Sequence, residues 1–91
     1  MKCEATGRII VELPSTRGTG NGKDWEKREY IMETNDARPK KMKFTMFSSE
    51  GPIADPLRVG DTVNVKFQVE AREYQGKWYN DVRAWQVQKL Q

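Results

Sequence analysis

Apolar and polar residues alternate with a period near two along five stretches of this chain. In the first, Ile9, Val11 and Leu13 share one face, and Arg8 and Glu12 take the other. Tyr30 and Met32 oppose Trp25, Lys27 and Glu29 in the second; Met42, Phe44 and Met46 oppose Lys41, Lys43, Thr45 and Phe47 in the third. The fourth is the most regular, with Val63, Val65, Phe67, Val69 and Ala71 alternating with Asn64, Lys66, Gln68, Glu70 and Arg72. The fifth runs from Trp78 to about Leu90, with Val82 and Ala84 on one face and Tyr79, Arg83, Trp85 and Val87 on the other. Successive side chains of a strand point to opposite faces, so this alternation predicts half-buried strands of antiparallel sheet.

The segments between are rich in turn formers. Pro14 to Asp24 holds Gly18, Gly20 and Gly22 and reads as a flexible loop; Asn35 to Pro39 is a turn, and Gln75-Gly76-Lys77 a tight hairpin turn. Ser48 to Gly60 is a longer connection in which Pro52 and Pro56 limit any helix to a turn or so. Five strands in 91 residues must hide their edges, and closure into a small barrel does so. Long strands, a long first loop and an insertion between the third and fourth strands predict an all-β, five-stranded Greek-key OB-fold barrel. It carries at most one short helical turn between strands 3 and 4 and spans residues 1–91 as a single domain. An SH3-like barrel, with its usually shorter strands, is the alternative.

Composition narrows the chemistry. Leu, Ile, Val and Phe number 17 of 91 residues, just under the ~20% that raises suspicion of disorder, but the net charge is only +3. Three Trp and three Tyr add apolar area, which favours an ordered domain. With no His and a single cysteine, Cys3, a His or Cys zinc site and any His-based catalytic arrangement are excluded, as is an intramolecular disulfide. The longest aliphatic run is Ile9-Ile10-Val11, far short of the ~20 apolar residues of a membrane span, and Met1 to Gly7 lacks the apolar core of a secretory signal. A soluble, cytoplasmic protein with no cofactor, no metal, no membrane and no small-molecule substrate is expected.

Gly18, Gly20, Gly22 and Lys23 do not make a phosphate loop. Arg17 stands where the Walker pattern requires Gly, Asp24 follows the Lys, and Gly-x-Gly-x-Gly is not the dinucleotide spacing. Asp24, Glu26 and Glu29, like Asp55 and Asp61, each have a basic neighbour and read as solvated surface groups, so no enzyme is expected. The informative feature is aromatic residues interleaved with basic ones. Trp25 precedes Lys27 and Arg28; Lys40, Lys41 and Lys43 lead into Phe44 and Phe47; the last hairpin carries Arg72, Tyr74, Lys77, Trp78, Tyr79, Arg83 and Trp85. Single-stranded nucleic acid calls for this combination, since cations follow the phosphates and flat side chains stack on unpaired bases. By their period, Tyr30, Phe44 and Phe67 belong to the core, and Trp85 divides between the two roles. Trp25, Phe47, Tyr74, Trp78 and Tyr79 are the candidate platforms, although about half of such residues close the ends of small barrels instead. Lys41 and Lys43 also fit a solvated edge that discourages aggregation.

Two stretches go further. Asn21-Gly22-Lys23-Asp24-Trp25-Glu26-Lys27-Arg28-Glu29-Tyr30 resembles the Asn-Gly-x-x-Trp-x-Lys lead-in to the second strand of many single-stranded-DNA-binding OB-folds. Arg72-Glu73-Tyr74-x-Gly76-x-Trp78-Tyr79-x-Asp81-x-Arg83-Ala84-Trp85 resembles the closing hairpin of a small bacterial and phage OB-fold family related to those proteins. The Val59-Gly60-Asp61-x-Val63-x-Val65 step into the fourth strand also fits many OB barrels. The resemblance implies a groove across the second and third strands, walled by the first loop and the last hairpin. It points to Lys23, Trp25, Lys27, Lys41, Lys43, Phe47, Arg72, Tyr74, Lys77, Trp78, Tyr79 and Arg83 as nucleic-acid-binding residues. One departure is clear. The long, acid-tipped tail of typical bacterial single-stranded-DNA-binding proteins is absent here, where Lys89-Leu90-Gln91 follows the last strand directly, so recruitment through such a tip is not expected. The expected function is non-enzymatic binding of single-stranded DNA with little sequence preference, by a homo-oligomer, dimer or tetramer, with a part in DNA replication. The alternatives are RNA binding and an OB-fold protein–protein interaction module.

Overall fold

The alternating segments build a closed sheet. The computed structural model describes residues 2–20, 22–49, 51, 53 and 56–90. Asn21 of the lead-in motif, and Pro52 and Asp55 of the connection before the fourth predicted strand, lie outside them. The strands are β1 (Lys2–Glu12), β2 (Thr16–Gly20), β3 (Lys23–Thr34), β4 (Lys41–Ser48), β5 (Thr62–Tyr74) and β6 (Lys77–Lys89). They are ordered β1-β5-β6-β4-β3-β2, and an additional β1–β3 pairing closes the ring. All neighbours are antiparallel except β4 and β6, which meet in parallel at Thr45 and Arg83. A meander of β1, β3 and β4 whose last member meets β6 in parallel, with β5 beside β1, is the five-stranded OB barrel. Among the described residues there is no helix, neither a turn between β4 and β5 nor one long and apolar enough to cross a membrane.

The sixth strand corrects the expectation of a flexible loop from Pro14 to Asp24. Leu13 donates its N–H to the Glu29 carbonyl at 3.0 Å, and the chain then runs on along β3 as β2, from Thr16 opposite Lys27 to Gly20 opposite Lys23. β2 is therefore β1 resumed beyond Pro14, which has no N–H to give to the ladder. At the other hairpin, Gln75 and Gly76 both take positive φ (51° and 78°) between paired Tyr74 and Lys77, so the expected tight turn is a two-residue one and Lys77 already belongs to β6.

Tyr30, Met32, Phe44, Val63, Val65, Phe67 and Ile9 fill the barrel, each worth about 1.5–3 kcal/mol by burial. Tyr30 and Phe44 pair across β3 and β4 with ring centroids 5.7 Å apart. Two bulges alter the predicted faces. Between Ile9 and Val11 the β1–β3 register slips by one, so Ile9 stays inside opposite Met32 while Val11, opposite Ile31, and Leu13 turn outward. Between Lys66 and Phe67 the β5–β6 register slips likewise. Val87 therefore packs against the core opposite Val65, and Trp85 remains exposed.

One end of the barrel is closed by charge. Glu26, grouped with the surface carboxylates by sequence, shares its face of β3 with Tyr30 and Met32 and is only 1% exposed. Its carboxylate accepts the Ile53 backbone N–H at 2.8 Å, Arg17 Nε at 3.0 Å and Arg28 Nε at 3.1 Å. The backbone bond and the two guanidinium groups outweigh burial and hold its pKa at about 2, against an ordinary 4.5. Burial opposes the Arg28 charge, but its bonds to Glu26 prevail and raise its pKa. Glu12 extends the network, accepting from Arg28 at 3.3 Å and Arg58 at 2.9 Å. Leu57, fully buried, plugs this end and donates its N–H to the Tyr30 hydroxyl at 3.1 Å. Leu57 thus closes this end with its side chain and one backbone bond, and none of the described residues of the β4–β5 connection is helical.

Candidate nucleic-acid interface

The outward face of β3 carries Trp25, Lys27 and Glu29, and β4 lays Phe47, Thr45 and Lys43 beside them because Lys27 pairs with Phe47 and Glu29 with Thr45. The β5–β6 hairpin extends past the barrel, where β1 no longer covers β5 beyond Gln68. It stands over the β3–β4 face and encloses a groove of about 780 Å³. The floor is Lys27, Glu29, Lys43, Thr45 and Phe47; the wall is Arg72 together with Tyr79 to Ala84.

Four cations and two carboxylates line the groove, a net charge of +2. The carboxylates are engaged: Glu29 lies 3.6 Å from Lys43 and Asp81 2.8 Å from Arg72. Arg72 also sits over the Tyr79 ring at 5.8 Å. Among the described residues, Lys27 and Arg83 have no carboxylate partner, so the unbalanced charge belongs to one residue on the floor and one on the wall. Phe47 is 60% exposed and Tyr79 44%, a large flat apolar area open to solvent.

Trp25 supports this floor. Its ring stacks on Phe47 with centroids 6.0 Å apart and planes 28° apart. Gly18, opposite Trp25 on β2, makes room for it: a Cβ there would fall 2.5 Å from the indole. A glycine covered by a cross-strand aromatic is a recurrent way of fixing such a ring.

The structure thus brings together Lys27, Lys43, Phe47, Arg72, Tyr79 and Arg83, with Trp25 behind Phe47. Lys23 and Lys41 lie at the starts of β3 and β4, and Tyr74, Lys77 and Trp78 at the hairpin tip, all outside the groove lining. Trp78 follows the alternation of β6 to the side opposite Tyr79. Sequence reasoning passed over Thr45 and Asn80, polar groove residues whose signal was only their parity and their place beside the hairpin turn. No group of His, Cys, Asp and Glu suited to a metal ion occurs among the described residues.

A closed OB barrel with a basic and aromatic groove between β3 and β4 on one side and the β5–β6 hairpin on the other defines the class of this protein. The chain belongs to the family described as a domain of unknown function, DUF3127, whose model matches residues 4–88. No curated protein matches its sequence. Among solved structures it is similar to the mitochondrial single-stranded DNA binding protein Rim1 of S. cerevisiae (TM-score 0.68, 17% identity, 99% of this chain and 95% of that one). The dimeric N-terminal domain of PriB from Thermoanaerobacter tencongensis is similar at TM-score 0.70 and 16% identity, over 99% and 96% of the two chains. A small single-stranded DNA-binding protein from Streptomyces coelicolor matches at TM-score 0.55 and 14% identity, over 98% and 93%. At these identities the likeness is one of fold.

Proposed function

We propose that this protein is a non-enzymatic OB-fold module, one domain over residues 1–91, that binds single-stranded DNA in the groove with little sequence preference. The observation that carries this reading is the pairing of cations that have no carboxylate partner among the described residues with exposed rings: Lys27 beside Phe47 on the floor, Arg83 and Tyr79 on the wall. Phosphates lie against Lys27 and Arg83, while bases stack on Phe47 and Tyr79 at ~1–3 kcal/mol each. A duplex has no free base faces to offer these rings. The shared fold of Rim1 and of the Streptomyces protein supports the same reading. One OB domain occludes only ~4–16 nucleotides, so a dimer or tetramer raises useful affinity, in keeping with the dimeric PriB domain. A cytoplasmic role in DNA replication fits this activity.

Trp78, 69% exposed and turned away from the groove, favours a second reading in which the hairpin contacts another protein. Titrating the intrinsic Trp fluorescence with a thymidine homopolymer of ~30 nucleotides and a matching duplex, at low and moderate salt, separates the two. Quenching by the single strand alone, weakening as salt rises, is expected. Absence of both quenching and a mobility-shifted complex at low salt would leave the protein-contact reading.

A further inference from the structure

Trp85 and Lys66 lie outside the groove lining, yet they continue its chemistry. β4 and β6 run parallel from the Thr45–Arg83 crossing, so Trp85 stands two residues past it on β6, as Phe47 does on β4. Trp25, Phe47 and Trp85 therefore occupy successive strands β3, β4 and β6, in a row across the sheet. The β5–β6 bulge keeps Trp85 outward and 53% exposed, and the Lys66 ammonium sits over its ring at 5.8 Å. Arg83, Gln68 and Gln86 share this outer face with them; the carboxylates that bound it are Glu70 and Asp81, the next same-face pair beyond Gln68 and Arg83, with Asp81 held by Arg72, and Glu4, in register with Lys66 from β1. Glu4 forms no ion pair with Lys66 among the described residues. A solvated cation held over an exposed indole offers a stacking plane and a phosphate partner side by side.

We propose that a bound single strand leaves the groove past Arg83 and continues over β6, stacking a base on Trp85 and placing a phosphate at Lys66. This rests on the single-strand reading of the groove. The extension adds roughly two nucleotides to the occluded length, given strand spacings of about 4.8 Å. It makes affinity depend on oligomer length through residues that short oligomers never reach.

The test uses the full chain carrying Trp25→Phe and Trp78→Phe, which leaves Trp85 as its single indole. Binding is followed separately by the anisotropy of labelled thymidine oligomers of ~6 and ~20 nucleotides. Trp85 emission is expected to be quenched by the longer oligomer and unchanged by the shorter. Trp85→Ala should weaken the longer by about tenfold and the shorter by less than about twofold. Lys66→Gln should lower the salt slope for the longer by ~0.7. Anisotropy changes without any Trp85 quenching would overturn the extension and leave the groove standing. Loss of self-association in Trp85→Ala, with affinity per subunit unchanged, would overturn it by assigning Trp85 to a subunit contact. If neither oligomer binds at all, the groove reading falls and takes the extension with it.

Discussion

The two faces of β3 hold their charges in opposite ways. On the inner face Glu26 is buried and Arg28 half-buried at the barrel end, and each meets a partner on another element; no buried side-chain polar atom among the described residues lacks one. On the outer face, one residue away, Lys27 faces the groove, and neither it nor Arg83 across from it has a carboxylate partner among the described residues. A buried charge is tolerable only with its partners in place, so the inner network fixes the β4–β5 connection and is closed to any ligand. The outer charges are solvated, contribute little to stability and remain available to an anion. One strand therefore carries a structural lock and the proposed binding surface with a period of two.

Breaking one side should leave the other intact. The largest effect is expected from Lys27→Glu combined with Arg83→Glu. Removing both free cations and adding two negative charges should weaken single-strand affinity by more than about 100-fold. The midpoint of thermal unfolding should move by less than ~3 °C, because both residues are surface groups.

Glu26→Gln should do the reverse. With Arg17 deprived of its carboxylate and Arg28 left with Glu12 alone, the unfolding midpoint at pH 7 is expected to fall by on the order of 10 °C, with affinity well below that midpoint changed by less than about threefold. The pH dependence gives the sign independently. The Glu26 pKa is about 2 when folded and 4.5 ordinarily, so its stabilisation is full above pH 4.5 and disappears as pH falls toward 2. The gap between wild-type and variant midpoints should therefore narrow steadily over that window in calorimetry.

Gly18→Val sharpens the comparison, since it reaches the outer face through packing. The new side chain must displace Trp25 from Phe47, and an affinity loss of about tenfold with a blue- or red-shifted Trp emission is expected. The smallest effect belongs to Lys43→Gln. Lys43 is already paired with Glu29, and its loss frees a carboxylate at the groove floor, so affinity should drop less than about fivefold. A drop as large as that of the Lys27 and Arg83 pair would mean that net charge, not the free cations, governs binding.

The strand pattern was legible where one face is buried: β3, β4 and β5 follow the alternation of Tyr30 and Met32, of Met42 to Met46, and of Val63 to Phe67. β2 was not, because Thr16 to Gly20 are nearly all exposed and are held by the backbone ladder, which leaves no apolar signature. The bulges at Ile10 and Trp85 are one-residue insertions, and a period-two count carried through either reverses every later side chain. That is why Val11 and Leu13 were placed inward and Val87 outward. The burial of Glu26 was in fact written in its parity with Tyr30 and Met32, and was obscured by the ordinary habit of carboxylates. Parity also separates Trp78 from Tyr79, which composition and resemblance had grouped. The groove residues themselves stood out as basic and aromatic, but which cations are free depends on Glu29 and Asp81, and only three-dimensional placement shows that.

The central claim is a location, and backbone amide NMR during titration with a thymidine oligomer of ~12 nucleotides tests it most directly. The account predicts saturable shifts at Lys27, Lys43 to Phe47 and Tyr79 to Trp85, with the amides of Glu12, Glu26 and Arg58 at the barrel end unmoved. Shifts centred on that barrel end, or none that saturate, would contradict it.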